Sequence, residues 1–350
     1  MRGKEKKMHG WAQLSRLCLL VALMGTLFWG TALRAEAMPE PAFPQPVTQL
    51  TEAPEGFTVI KTMEELHAIR NNRSGNYILM KDIDLSRQNT WETISSFSGK
   101  LYGNGHKIIG LKGTLIRTIE GGEVRDLGLT DVNINVSDSA GALAVRVKSG
   151  SRSGTLINNV YVSGLVAGKS IVGGVIGSVD SSSTQTMSIS GIANYAFVLA
   201  EGNRVGGVIG EAESSSTSRI SSMGYLYNYG IVRGTTTKIG GIIGYLFNED
   251  RSLSIYTCKN EGRVLGKENV GGIFGELYCK TYKNNSSGNA NLRLSGYQNS
   301  GTVKGSVNVG GILGLMEIND GNSNSNAKIT LSSCMNVGEM DCGSDYTGGI

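Results

Sequence analysis

Proline is missing from most of this sequence. All five prolines, Pro39, Pro41, Pro44, Pro46 and Pro54, fall within sixteen residues, and the 296 residues after Pro54 contain none. Glycine is abundant, 50 of 350 residues, but without proline it forms neither a collagen repeat nor a Pro/Gly-rich disordered tract. Histidine is scarce: His9, His67 and His106 are the only three, and no H-E-x-x-H zinc motif can be built from them. Net charge is also lacking where it would matter. The formal +4 comes from residues 1–37, which hold six basic and two acidic side chains; the remainder carries 27 of each sign. A neutral body without basic-helix, zinc-finger or RNP patterns excludes a nucleic-acid partner. An apolar share of 39% excludes a disordered tail.

Only one long apolar run is present, residues 17–33 (LCLLVALMGTLFWGTAL), behind a basic start and ahead of Ala35-Glu36-Ala37. This is the pattern of an export signal cut by signal peptidase after Ala37, with an uncleaved anchor as the alternative. Residues 38–54 (MPEPAFPQPVTQLTEAP) read as an extended, proline-rich spacer.

An internal repeat fills the rest. VGGVIG at Val172 returns as VGGVIG at Val205, IGGIIG at Ile239, VGGIFG at Val270 and VGGILG at Val309; AGALAV at Ala140 is a degenerate copy and TGGI at Thr347 a partial one. The steps are 32, 33, 34, 31, 39 and 38 residues. Asn194, Asn228, Asn260, Asn299 and Asn336 each stand 11 or 12 residues before the first glycine of a pair, and Tyr161 occupies that place in the preceding repeat. Short alternating runs such as SLSIYTCK and NLRLSGYQ precede the asparagines. Each repeat therefore reads as three strand-like segments, with positive φ expected in the Asn-X-Gly turns and close backbone approach at Gly173, Gly174, Gly206, Gly207, Gly240, Gly241, Gly271, Gly272, Gly310 and Gly311.

Three strands per repeat, with no helical period between them, predict an all-β fold: a right-handed parallel β-solenoid of the pectin-lyase-like β-helix type, with successive coils about 4.8 Å apart. The five asparagines would then stack as a side-chain ladder. Residues 62–71 predict a short amphipathic helix, with Met63, Leu66 and Ile69 on one side, capping the open N-terminal strand edges.

The VGGVIG and VGGILG copies resemble the GLUG motif, and IKTMEELHAI, YILMKDIDLS, FSGKLYGNGHKIIGL and VRDLGLTDVNI resemble the segment preceding such repeats in bacterial surface proteins. Those proteins include adhesins and the non-catalytic N-terminal region of immunoglobulin-A-cleaving zinc proteases. The resemblance implies a secreted or cell-surface bacterial protein. The expected organisation is a signal peptide (1–37), a spacer (38–54), an N-terminal cap with the first coils (55–135), and GLUG-like coils (136–350) that stop within a motif, as in a fragment of a longer polypeptide.

Candidate chemistry is sparse. GLVAGKS at Gly164 lacks phosphate-loop spacing and a following helix. Asp82 and Asp84 could form a carboxylate pair, but the simpler reading is bonding to turn backbone, and His106 reads as a turn residue. Cys258 and Cys334 share a repeat slot two coils apart, about 10 Å, too far for a disulfide. Trp91 reads as core. No catalytic, metal-binding or cofactor-binding residue is assigned. Length varies mainly after each hexapeptide, so those segments are expected to emerge as loops along one corner, with Tyr278, Tyr282 and Lys283 of the longest as contacts for a glycan or protein outside the cell. The primary expectation is a non-catalytic adhesive or spacer module. The alternative is a non-catalytic region of a larger surface metalloprotease, or a polysaccharide-active β-helix enzyme, which would show a charged cluster on one face.

Overall fold

Residues 31 to 39 positions apart in sequence lie side by side. Ala140 pairs with Val172, Val172 with Val205, Val205 with Ile239, Ile239 with Val270, Val270 with Val309, and Val309 with Thr347, all parallel. The computed structural model describes residues 38–215, 220–249, 252–281, 291–320, 328–343 and 347–349. The leader, Tyr282 and Lys283 lie outside the described residues.

Among the described residues the strands form three parallel sheets, of 18, six and seven strands. A full coil is Ile220–Asn228 and Val232–Gly234 in the first sheet, Thr237–Gly240 in the second and Ile243–Glu249 in the third. Successive coils pair in parallel, with register shifts only at Met187/Ser188 and Leu129/Val132 among the described residues, which is the arrangement of a β-solenoid. The coil thus has four pairing segments where the sequence suggested three, because the Asn-X-Gly turn divides the first.

The repeat exists because the same side chain returns to the same place one coil later. Ile157, Ile189, Met223, Ile255 and Leu294 form one inward column in the first sheet, and Val147, Val179, Ala212, Leu246 and Leu277 another in the third; all are buried. Each large aliphatic side chain removed from water contributes about 1.5–3 kcal/mol. The absence of proline follows as well, since an interior strand must donate N–H groups to a neighbouring coil.

The predicted helix is present as Met63–Ala68, followed by a 3-10 turn, Ile69–Asn71. It starts where Thr62 and Glu65 make a capping box: Thr62 Oγ1 accepts from the Glu65 amide (3.2 Å) and Glu65 Oε2 from the Thr62 amide (3.0 Å). Leu66 and Ile69 are fully buried in the main core. Trp91 packs into the same core, with Arg70 over its ring at 4.5 Å and its Nε1 donating to the Leu115 carbonyl at 3.1 Å. Among the described residues no helix is long and apolar enough to cross a membrane.

Positive φ falls at places the sequence does not mark. None of the Asn-X-Gly glycines adopts it; Gly262 is needed because a Cβ there would stand 1.9 Å from the Gly230 carbonyl of the adjacent coil. Left-handed residues instead stack inside the long first-sheet strands, at Asp126, Asn159, Gly191, Tyr225, Thr257 and Gly296, and at Ser333 just after the strand Lys328–Ser332. The segments after each hexapeptide also differ from expectation. They continue as third-sheet strands, Ile176–Ser181, Ile209–Ser214, Ile243–Glu249, Phe274–Thr281 and Leu313–Asp320, before any connection emerges. Tyr278 accordingly sits on a strand, because its backbone still pairs with Phe247 below and Glu317 above.

Candidate functional site

The most ordered polar feature is the asparagine column. Asn194 Nδ2 donates to Asn228 Oδ1 (2.8 Å), Asn228 to Asn260, Asn260 to Asn299 and Asn299 to Asn336 (2.7 Å each). Each Nδ2 also donates to the carbonyl two residues on, for example Asn260 to Gly262 at 2.8 Å. The first four side chains are wholly buried and their donors satisfied. The second glycine of each pair leaves room for this column: a Cβ at Gly241 would lie 2.6 Å from Asn260 Cγ. In the preceding coil the column position belongs to Val162, not Tyr161, which pairs with Ala193 and points to the other face.

On the outside of the third sheet a second constellation gathers charge and rings. Arg204 and Lys238, both left-handed, lie at the corner before the glycine pair. Arg204 Nη1 donates to Glu211 Oε1 at 2.6 Å, and Lys238 Nζ lies 2.7 Å from Glu276 Oε1. Asn269 Nδ2 donates to Glu276 Oε2 at 2.8 Å, and Asn308 Nδ2 to Asn269 Oδ1 at 2.8 Å. Tyr245 lies under both cations, with Lys238 Nζ 4.1 Å and Arg204 Cζ 5.1 Å from its ring centre, and burial beside Glu276 pushes its hydroxyl up to about 12. Glu213, next to Glu211, is raised to about 7, by burial first and then by the Glu211 charge and hydrogen bond. Phe247 and Tyr278 stack at 5.7 Å, and the Tyr278 hydroxyl accepts from Asn319 Nδ2 at 3.0 Å. Sequence reasoning missed Arg204, Lys238 and their glutamates because they occupy different residue types in successive coils.

Asp82 and Asp84 bond to different partners. Asp82 Oδ1 accepts from the Lys107 amide (3.0 Å) and lies 3.1 Å from His106 Nδ1, while Asp84 accepts from the Ser86 amide, and the Ser86 side chain first and that amide second hold its carboxyl below the usual range. Cys258 and Cys334 stand on either side of Tyr297 and are not joined to each other. Among the described residues no group of three or more His, Cys, Asp or Glu side chains could hold a metal ion.

Residues 53–164 match the M26 IgA1-specific metallo-endopeptidase N-terminal region. That region is non-catalytic. An immunoglobulin A1 protease of Streptococcus sanguinis is 33% identical over 135 residues, covering 36% of this chain and 7% of that protein. Zinc metalloprotease ZmpC of Streptococcus pneumoniae is 30% identical over 155 residues, covering 41% of this chain and 8% of that protein. A solved structure of an IgA1 protease is 18% identical with a TM-score of 0.44, over 79% of this chain and 21% of that one. The chain therefore spans only a small part of the curated relatives it matches. The family match and the two curated relatives favour the metalloprotease alternative over a dedicated adhesive repeat, and they agree with a secreted or cell-surface location.

Proposed function

We propose that this chain is the non-catalytic N-terminal solenoid of a larger surface metalloprotease of the immunoglobulin-A1-cleaving type, exported by a leader that signal peptidase removes after Ala37. The observation that carries the reading is the match of residues 53–164, which spans the capping helix and first coils. Its role is mechanical: a stack of in-register coils, closed at the start by Leu66 and Ile69, holds the rest of the enzyme at a distance from the envelope. The coil is read as right-handed and pectin-lyase-like, because parallel strands joined within one sheet take right-handed crossovers almost without exception. The third-sheet edge carrying Tyr278, with Tyr282 and Lys283 beyond it, is the proposed contact for a glycan or protein outside the cell.

An antibody raised against this chain should detect, on the surface of the producing bacterium, a polypeptide much larger than 37.1 kDa. Immunoprecipitates of that polypeptide should cleave immunoglobulin A1, whereas the purified chain should leave it intact. A native product of about the chain's own mass, or cleavage by the chain alone, overturns the reading.

A further inference from the structure

The proline-rich segment, expected to run free as a spacer, lies against the first coils. Asn159 grips Gln45 by both backbone groups: its Oδ1 accepts from the Gln45 amide (2.9 Å) and its Nδ2 donates to the Gln45 carbonyl (3.1 Å). Asn104 does the same to Leu50, at 2.7 and 3.1 Å. The remaining Nδ2 hydrogen of Asn159 goes to Asp126 Oδ1 at 2.8 Å. Ahead of the first clamp Phe43 meets Tyr161 edge-on at 4.7 Å.

Both clamping asparagines are buried and stand in left-handed backbone, with φ of 54° and 53°, a conformation asparagine tolerates. They read only peptide groups, so the segment's side chains are not what they select. What the site requires is a chain outside any strand, with an N–H and a C=O free at intervals. Pro44 and Pro46 fix φ on either side of Gln45, where the chain bends, and leave the Gln45 amide to donate. The equivalent positions in later coils are Gly191, Tyr225, Thr257, Gly296 and Ser333, which offer no carboxamide, so the clamp belongs to the first coils alone.

We propose that Asn104, Asp126, Asn159 and Tyr161 form a peptide-binding groove that recognises the unpaired backbone of a proline-rich chain, and that residues 42–50 are its ligand in cis. The hold is four hydrogen bonds and one ring contact on a segment whose Gln45, Pro46, Thr48, Gln49 and Leu50 remain exposed. Such a segment opens locally without unfolding the coils, and the groove is then available to the same chemistry in trans. The proposal does not depend on the protease reading.

The test uses the whole chain. Hydrogen exchange should show protected amides at Gln45 and Leu50; Asn159→Gly should release Gln45 and Asn104→Gly should release Leu50, each by tenfold or more in rate. Glycine keeps the left-handed backbone, so the coils should retain their melting temperature. A fluorescent synthetic peptide of residues 38–51 should bind a chain carrying Gln45→Pro and Leu50→Pro, whose own segment has lost both donors, and should bind the unaltered chain at least tenfold more weakly. Adding Asn104→Gly and Asn159→Gly to the proline variant should abolish binding. Failure of the peptide to bind the folded proline variant, or equal binding with both asparagines replaced, overturns the proposal.

Discussion

Asn228 Nδ2 donates to Asn260 Oδ1 at 2.7 Å, and Asn260 in turn donates to Asn299, so the side chain of Asn260 is both acceptor and donor inside a fully buried column. Removing it orphans the Asn228 amide hydrogen, the Asn299 oxygen and the Gly262 carbonyl at once. Each unpaired buried group costs about 1–3 kcal/mol, so Asn260→Ala is expected to destabilise the chain by roughly 3–5 kcal/mol in denaturant unfolding. Asn260→Asp can still accept from Asn228 but cannot donate to Asn299, and should be destabilising at neutral pH and milder in acid, where the carboxyl is protonated. A loss below about 1 kcal/mol for the alanine variant contradicts this account.

Thr257 has φ of 49°, a left-handed conformation that is costly for a β-branched residue, by roughly 1–2 kcal/mol. Gly296 beside it and Gly191 two coils away in the same column show that the position accepts glycine. Thr257→Asn should therefore stabilise the chain by up to about 1 kcal/mol, while Gly296→Val should destabilise it by more. Paired thermal melts of the two variants check the opposite signs.

The ladder and this column differ in how far they can be read from sequence. A stack of coils repeats a residue only where side chains meet their own copies, so Asn194 through Asn336 and the glycines over them recur visibly. At the left-handed column the backbone is imposed by the coils on both sides, and Asp, Asn, Gly, Tyr, Thr and Ser all comply. On the third sheet the outward column Ser178, Glu211, Tyr245, Glu276, Leu315 changes type at every coil, which hides the strand and makes it look like variable loop. The clamp on Gln45 lies 114 residues away in sequence at Asn159, beyond any local pattern.

Glu213 titrates from 4.5 in ordinary surroundings to about 7 in the fold, through burial first and Glu211 second, with Asp180 adding and Arg204 opposing. A carboxyl raised on folding binds more protons in the native state than in the unfolded one between those two values. Its contribution therefore favours the fold in acid and is lost as pH rises from about 4.5 to 7. Glu213→Gln, neutral throughout, should gain melting temperature relative to the parent across that window and hold a constant difference above it. A difference that is flat from pH 4.5 to 8 contradicts the coupling.

Tyr297 separates the two cysteines of its column and ties the coils together, its hydroxyl donating to the Ile255 carbonyl at 2.8 Å. Cys258 is fully buried and burial pushes its thiol up; Cys334 is only partly covered and is raised less directly, by burial opposed by the Tyr297 and Ser332 backbone. A thiol must be exposed and ionised to react, so a maleimide should label Cys334 in the native protein, whereas Cys258 should wait for opening of the stack. Tyr297→Phe deletes one buried hydrogen bond, worth about 1 kcal/mol, and should speed Cys258 labelling by about fivefold while leaving Cys334 nearly unchanged. Mass spectrometry of labelled peptides separates the sites. Equal native rates at the two thiols, or a Cys258 to Cys334 disulfide under mild oxidant, would mean that Tyr297 does not keep these coils closed.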